Sequence, residues 1–177
     1  MVIWICGLSA SGKTTLGRHL YSVLKPNTRN LVLLDGDDLR SVMADSTGYD
    51  SKSRKQNSAR IGKMCQLLDS QDIHVICCAV TISSEVQAFN REHLSGYCEV
   101  YLDVSLNTAK KRDPKGIYRG AERGEIDNVA GVDVEYEPPA NPHLIIDNNV
   151  DRQDMQPLAN SILERVNSID NDIISTA

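Results

Sequence analysis

The sequence of 177 residues is poor in aromatic side chains, with one Trp, one Phe and six Tyr. Its core must therefore be built mainly from Leu, Ile and Val. The sequence also lacks an excess of positive charge, and its net charge of −5 argues against a general nucleic-acid-binding surface. The apolar share of 41% and the charged share of 24% are ordinary for a soluble globular protein. The length predicts a single domain over residues 1–177.

A targeting segment and a cysteine framework are missing as well. The first apolar run, Val2–Cys6, follows no basic stretch and is too short to span a bilayer, so we expect neither a signal peptide nor a membrane partner. The five cysteines are odd in number and include no C-x-x-C pair. We interpret them as reduced, buried thiols of a cytoplasmic protein.

Short apolar runs alternate with longer stretches of helical periodicity. The runs cover residues 2–6, 31–34, 73–80, 99–103 and 143–146, and the predicted helices lie near residues 13–24, 37–43, 53–70, 84–95, 105–111 and 153–168. Because most runs are apolar almost throughout, they are typical of parallel strands covered on both faces. The pattern predicts a three-layer α/β fold with a parallel sheet of about five strands. Residues 113–141 are rich in Gly, Pro and charge, which predicts a long loop that is either functional or disordered.

A complete phosphate-binding motif follows the first run. Residues 7–14 read GLSASGKT and match G-x-x-x-x-G-K-[ST] between a predicted strand and a predicted helix. Small residues let backbone N–H groups surround a polyphosphate, while Lys13 reaches the β- and γ-phosphates and Thr14 binds Mg²⁺. The alternative, a Gly/Ser-rich turn before a helix, explains the Lys-Thr pair less well. The residues expected to bind ATP here are Gly7, Ser9, Ala10, Ser11, Gly12, Lys13, Thr14 and Thr15.

The second predicted strand is followed by three carboxylates, Asp35, Asp37 and Asp38, with Gly36 between the first two. The carboxyl ends of parallel strands face the crevice where ligands bind in open α/β sheets. One carboxylate can position Mg²⁺, and another can accept a proton from an attacking hydroxyl. Arg40 lies three residues after Asp37 on the same side of a short helix, where it can hold an anionic acceptor. The alternative is a helix N-cap with acidic residues in the first turn.

The order of further motifs resembles the adenylylsulphate kinase family over nearly the whole chain, from Ile3 to about Asn148. After the phosphate loop come D-G-D-x-x-R at 35–40, GY at 48–49, RKQN at 54–57 and RIG at 60–62; RDPKGIY at 112–118, GVD at 131–133 and YEPP at 136–139 follow. The resemblance implies a P-loop kinase fold with a flexible lid over about 113–141. It also implies transfer of the ATP γ-phosphate to the ribose 3′-hydroxyl of adenylyl sulfate, Mg²⁺ as cofactor, and a homodimer.

The resemblance also implies roles for individual residues. Lys13, Asp37 and Asp35 would be catalytic, Thr14 and Asp35 would bind the metal, and Arg112 would bind ATP. The acceptor would contact Asp37, Arg40, Tyr49, Arg54, Asn57, Ile82, Ser83, Lys115 and Val129. The residues themselves support part of this, because Arg54, Asn57 and Ile61 share one helical face. In the lid, Arg112, Lys115, Arg119 and Arg123 form a basic cluster that closure would bring to the phosphates.

Three departures from the family pattern concern acceptor recognition. After Ile82 and Ser83 the family has Pro, an aromatic residue and Arg, but this chain has Ser84, Glu85 and Val86. Val129 replaces a Phe that helps to enclose adenine, and Glu122 replaces a residue that is frequently basic.

These departures leave three hypotheses. The first is an adenylylsulphate kinase. The second keeps the reaction but changes the acceptor to another nucleotide such as cytidine diphosphoramidate, which the smaller Val129 favours. The third is a nucleotide-binding module without catalysis, and the intact Lys13, Thr14, Asp35 and Asp37 argue against it.

Overall fold

The computed structural model describes residues 1–43, 48–80 and 83–169. Within these ranges the elements are β1 (Val2–Cys6), α1 (Lys13–Leu24), β2 (Leu31–Asp35), α2 (Gly36–Val42), α3 (Ser51–Asp69), β3 (His74–Ala79), α4 (Ser84–His93), β4 (Tyr97–Asp103), α5 (Leu106–Arg112), α6 (Ile117–Glu122), β5 (Leu144–Asp147) and α7 (Gln156–Ile169). In this part of the chain, no helix is both long and apolar enough to cross a bilayer.

The five strands form one sheet in the order β2-β3-β1-β4-β5, and every neighbouring pair is parallel. Trp4 in the central strand β1 is paired with Cys77 on one side and with Glu99 on the other. Since the strands run in one direction, the ends of β1, β2 and β3 meet at the same edge of the sheet. The segments that follow β1 and β2 therefore lie at the same edge, separated by the end of β3, where open α/β sheets bind ligands.

Alternate residues of β1 point to opposite faces, and each face is covered by helices. On one face, Ile3 and Ile5 pack with Leu16 and Leu20 of α1 and Ile162 of α7. On the other face, Val2, Trp4 and Cys6 pack with Ile61 and Cys65 of α3 and Val86 of α4. The predicted three-layer fold with a five-stranded parallel sheet is thus confirmed.

Residues 113–141 contain more regular structure than their composition predicts. Helix α6 lies inside this segment, and an isolated bridge joins Ala130 to Val134. Asp113, only 4% exposed, accepts hydrogen bonds from the backbone N–H groups of Tyr118 (3.2 Å) and Arg119 (3.0 Å) and so stabilises the first turn of α6. A small apolar cluster of Ala109, Tyr118 and Val129 attaches the segment to α5.

Candidate active site

The phosphate loop joins the end of β1 to the start of α1, and two of its positions require glycine. Gly7 has φ 151°, and a Cβ atom there would lie 2.6 Å from the carbonyl oxygen of Leu102. Gly12 is the N-cap residue of α1 with φ 98°, in the left-handed region that side chains disfavour. The loop can therefore turn its backbone N–H groups inward directly before a helix N-terminus, which is the geometry that binds phosphate.

Two distant side chains hold the loop in place. The Asn148 Nδ2 group donates to the carbonyl oxygen of Ser11 (2.9 Å), and the Tyr118 hydroxyl donates to that of Ser9 (3.1 Å). Sequence reasoning missed both residues. Asn148 follows the end of β5, at the same edge of the sheet as Asp35. This position after a predicted strand could have marked it as a candidate site residue.

Lys13 is buried at the base of this loop, with 8% of its surface exposed. Its ammonium group donates to the Leu8 carbonyl oxygen (2.6 Å) and lies 3.4 Å from the Ser11 hydroxyl. Burial lowers the pKa of Lys13 to about 8, and the nearby carboxylates of Asp37 and Asp35 oppose that change. The carboxylates therefore balance the positive charge of Lys13 only in part, as expected for a group that binds an anion.

Asp35 makes one hydrogen bond with each of its two carboxylate oxygens. Its Oδ1 atom accepts a hydrogen bond from the backbone N–H of Asp37 (3.0 Å), so it is the N-cap of α2. Its Oδ2 atom accepts a hydrogen bond from the Thr14 hydroxyl (2.6 Å). Asp35 is therefore an N-cap residue, and because it also contacts Thr14, the N-cap does not exclude the predicted metal-binding role.

Two cavities meet beside the loop. The phosphate cavity, of about 90 Å³, is bounded by Lys13, Thr14 and Asp35 on one side and by Arg40 and Asn57 on the other. The outer cavity, of about 360 Å³, extends from it toward Val129. The residues that line both are Ser9, Asp37, Tyr49, Arg54, Val80 and Lys115. The two cavities are therefore adjacent, and Asp37 is one of the residues at their junction.

Lys115 forms an ion pair with Asp37 at this junction. The hydrogen bond to Asp37 raises the pKa of the Lys115 ammonium group. Lys115 comes from the segment between α5 and α6, whereas Asp37 is on α2, so the pair joins the expected lid to the acceptor side.

Arg40, Tyr49 and Arg54 form one wall. The guanidinium groups lie over the Tyr49 ring, at 4.6 Å for Arg40 and 5.7 Å for Arg54. Arg54 also donates to the carbonyl oxygens of Tyr49 (2.6 Å) and Asn128 (2.7 Å). Burial, and then the nearby charge of Arg40, lowers the pKa of Arg54. An anion between the two arginines would relieve this unfavourable arrangement.

Asn57 lies one turn after Arg54 on α3 and lines the phosphate cavity. It is 8% exposed, and its Oδ1 atom has no hydrogen-bond partner among the residues that the structure describes. A buried polar atom without a partner is destabilising unless a ligand satisfies it. The predicted face of α3, with Arg54 and Asn57 toward the site and Ile61 in the core, is present.

Ser83, Arg112 and Thr15 do not line either of these two cavities. Ser83 is the N-cap of α4 and lines a separate cavity of about 250 Å³, which shares Arg54 with the others. Arg112 donates to the Val150 carbonyl oxygen (2.7 Å) and to Asp151 (3.0 Å), in the segment after β5. Thr15 is exposed on the first turn of α1. Ile82 is outside the described residues.

Val129 has two environments. It is 3% exposed and packs with Ala109 and Tyr118, yet it also contributes to the wall of the outer cavity. The other apolar walls are Val80, Ile117, Ile126 and Ala130. The apolar part of the lining is thus aliphatic, apart from the aromatic ring of Tyr49.

Comparisons with known proteins agree with this geometry. The profile of the family described as adenylylsulphate kinase matches residues 1–147. A cytidine diphosphoramidate kinase from Campylobacter jejuni is 38% identical over 148 residues, covering 84% of this chain and 86% of the relative. An adenylyl-sulfate kinase from Pseudomonas aeruginosa is 37% identical over 148 residues, covering 82% and 76%. The solved structure of the Mycobacterium tuberculosis APS kinase in complex with AMPPNP and APS has a TM-score of 0.81 at 28% identity, covering 93% of this chain and 96% of its own.

Proposed function

Because the chain belongs to the adenylylsulphate kinase family, we propose that it transfers the γ-phosphate of ATP to the ribose 3′-hydroxyl of adenylyl sulfate. One observation carries the proposal: Asp37 lines both the cavity of Lys13 and Thr14 and the adjacent cavity of about 360 Å³. A phosphate donor in the first cavity and a nucleoside in the second would meet at this carboxylate.

The donor side fits Mg-ATP. The phosphate loop and Lys13 bind the β- and γ-phosphates, and Arg112 with the segment after β5 contacts the base of ATP. Thr14 and Asp35 offer two oxygen donors that already contact each other at 2.6 Å, and Mg²⁺ combines few protein oxygens with phosphates and water. Phosphate oxygens and water would supply the remaining ligands of such a metal. When bound, Mg²⁺ neutralises charge on the phosphates.

The transfer itself exchanges one P–O bond for another. The acceptor 3′-oxygen forms a bond to the γ-phosphorus, the bond from that phosphorus to the β–γ bridging oxygen breaks, and ADP leaves with the electron pair. Asp37 orients the acceptor hydroxyl and accepts its proton. Lys13 and Lys115 place positive charge beside the group in transfer, where it stabilises the transition state most.

An anionic 5′ group on the acceptor is supported by the wall opposite Lys13. Arg40 and Arg54 face the phosphate cavity, and burial with mutual repulsion lowers the pKa of Arg54. The amide of Asn57, whose Oδ1 atom lacks a partner, adds a polar contact at the same place. Two guanidinium groups and an amide suit a phosphosulfate or a diphosphate better than a neutral nucleoside.

A second candidate acceptor, cytidine diphosphoramidate, is favoured by a specific observation. The outer cavity presents Val129 rather than an aromatic ring, and the helix that starts beside Ser83 carries Glu85 rather than a cation. The missing aromatic ring weakens the fit to adenine, and the missing cation weakens the fit to a charged sulfate. The Campylobacter jejuni relative has the name of this second activity.

The test is a panel of acceptors with Mg-ATP and purified protein, scored by the mass of the product. The panel contains adenylyl sulfate, cytidine diphosphoramidate, AMP, CDP and the matching 3′-deoxy nucleotides. We expect adenylyl sulfate to gain one phosphoryl group and its 3′-deoxy form to gain none. Turnover of cytidine diphosphoramidate alone would replace the first acceptor with the second. Release of ADP without any phosphorylated acceptor would contradict the kinase proposal itself.

A further inference from the structure

The outer cavity has two parts of different chemical character. The part that it shares with the phosphate cavity includes Ser9, Asp37 and Lys115, whereas residues 126–130 line the outer cavity alone. Its aliphatic lining includes Val80, Ile117 and Val129. If the ribose hydroxyl lies at Asp37, the base occupies the aliphatic part and its far edge meets residues 126–130. This orientation rests on the proposed function.

Two acidic side chains near that far edge have different roles. The Asp133 carboxylate accepts hydrogen bonds from the backbone N–H groups of Asn128 (2.6 Å) and Val129, which fixes the turn, and Arg54 binds the Asn128 carbonyl oxygen from the other side (2.7 Å). Asp127 lines the cavity, is exposed, and has no hydrogen-bond partner among the residues that the structure describes. The turn is therefore fixed, and the Asp127 carboxylate beside it can bind the edge of the base.

We infer that Asp127 determines base specificity by accepting a hydrogen bond from an exocyclic amino group of the acceptor base. An ionised carboxylate only accepts hydrogen bonds. Adenine and cytosine each carry an amino group that donates, whereas hypoxanthine and uracil carry a carbonyl oxygen at the same position. Adenine or cytosine would therefore donate a charge-assisted hydrogen bond to Asp127. Hypoxanthine or uracil would instead place its carbonyl oxygen, an acceptor, against the carboxylate, which is also an acceptor.

The inference explains how one cavity can suit either of the acceptors considered above. Adenine and cytosine differ in size, and an aliphatic cavity of about 360 Å³ discriminates weakly between apolar shapes. Both bases offer the amino group that Asp127 selects. The carboxylate thus sets the chemical class of the base, while the aliphatic wall and the 5′ group determine which nucleotide is used.

The experiment compares pairs of acceptors that differ only in this group. The pairs are adenylyl sulfate with inosine 5′-phosphosulfate, and cytidine diphosphoramidate with uridine diphosphoramidate. We expect the wild-type protein to prefer the amino member by about ten-fold in kcat/KM, because Asp127 is exposed rather than enclosed. The Asp127→Asn variant keeps the size of the side chain and adds a donor, so the preference should fall to about two-fold or reverse.

Glu125→Gln is the matched control, since it makes the same charge change in the same segment. Glu125 is exposed and its carboxylate pairs with Arg123 at 2.7 Å, so its substitution should leave the ratio unchanged. Equal turnover of both members by the wild-type protein, or an unchanged ratio in Asp127→Asn, would overturn the inference and leave the kinase proposal intact. Failure of all four acceptors with the wild-type protein would overturn the proposed function, and the inference with it.

Discussion

The phosphate loop and the outer cavity are two halves of one site, and they are built differently. The loop presents mainly backbone N–H groups, its shape depends on Gly7 and Gly12, and Lys13 is its one cationic side chain. The outer cavity is built from side chains of several segments, with Arg54 from α3, Ile117 from α6 and Val129 from the loop before β5.

The difference explains which half can change without loss of the fold. Backbone N–H groups at a helix N-terminus bind any polyphosphate, and substitution at Gly7 would bring a Cβ atom within 2.6 Å of the Leu102 carbonyl oxygen. The wall of the outer cavity has no comparable requirement for one residue type, because Val, Phe or another apolar residue can occupy the same position. We therefore expect changes in the loop to abolish transfer and changes in the outer wall to redirect it.

The largest effect is expected for Lys13→Ala. Removal of the ammonium group should lower kcat/KM by about 1,000-fold, the upper range for loss of one preorganised electrostatic contact. The melting temperature should stay nearly constant, because burial already makes the Lys13 charge unfavourable in the absence of nucleotide. Steady-state kinetics and thermal unfolding measure the two quantities. Lys63→Ala, on the exposed side of α3, is the control, and wild-type rates in Lys13→Ala would refute the assignment of the loop.

Asp37→Asn should lower kcat by about 100-fold, since Asn can still orient the hydroxyl but cannot accept its proton. The Kd for ATP should change less than about three-fold, because Asp37 lies at the junction rather than on the loop. Single-turnover kinetics and ATP titration separate the two effects. The neighbouring Asp38→Asn, exposed and outside both cavities, should retain wild-type rates. A loss of ATP affinity as large as the loss of rate would place Asp37 on the donor side.

Val129→Phe tests the outer wall. An aromatic ring in the cavity of about 360 Å³ can stack on a purine, and base–aromatic contacts in nucleic-acid complexes contribute about 1–3 kcal/mol. We expect kcat/KM for adenylyl sulfate to rise about ten-fold relative to cytidine diphosphoramidate. Val132→Phe, at a site 43% exposed, is the control. A melting temperature measured beside the kinetics identifies overpacking against Tyr118, and an unchanged acceptor ratio in a stable variant would exclude Val129 from base recognition.

The central part of the fold could be predicted because its signals are local. The apolar run Val2–Cys6 and the helix that starts at Lys13 have the predicted bounds, since composition and the loop motif mark both ends. The start of β4 was predicted two residues late because Glu99 resembles a boundary. Glu99 is in fact fully buried within β4, paired with Arg91 (2.8 Å) and Gln87 (2.9 Å). A buried charge with partners on another element gives no local signal.

The parts of the site that were missed depend on contacts between distant residues. Tyr118 and Asn148 hold the phosphate loop across separations of 109 and 137 residues, and neither belongs to a local pattern that predicts such a contact. Helix α6 is short and depends on the Asp113 carboxylate, which binds two backbone N–H groups. The motif residues themselves gather as predicted, with Lys13, Asp35, Asp37 and Arg54 around one cavity. Their chemical roles remain predictions for the variants described above.

The smallest expected effect concerns pH and again distinguishes the loop from the outer wall. Without nucleotide the pKa of Lys13 is about 8, and bound phosphates would raise it by stabilising the charged form. Above pH 8 the complex therefore holds more protons than the free protein, so ATP affinity must fall as pH rises. The Kd for ATP should increase about four-fold between about pH 7 and pH 8.5. Calorimetry in buffers of different ionisation enthalpy should also detect proton uptake on binding. Lys13→Arg is the control, because its guanidinium remains charged and its Kd should be flat over this range; a flat wild-type profile would mean that Lys13 is already fully charged in the free site.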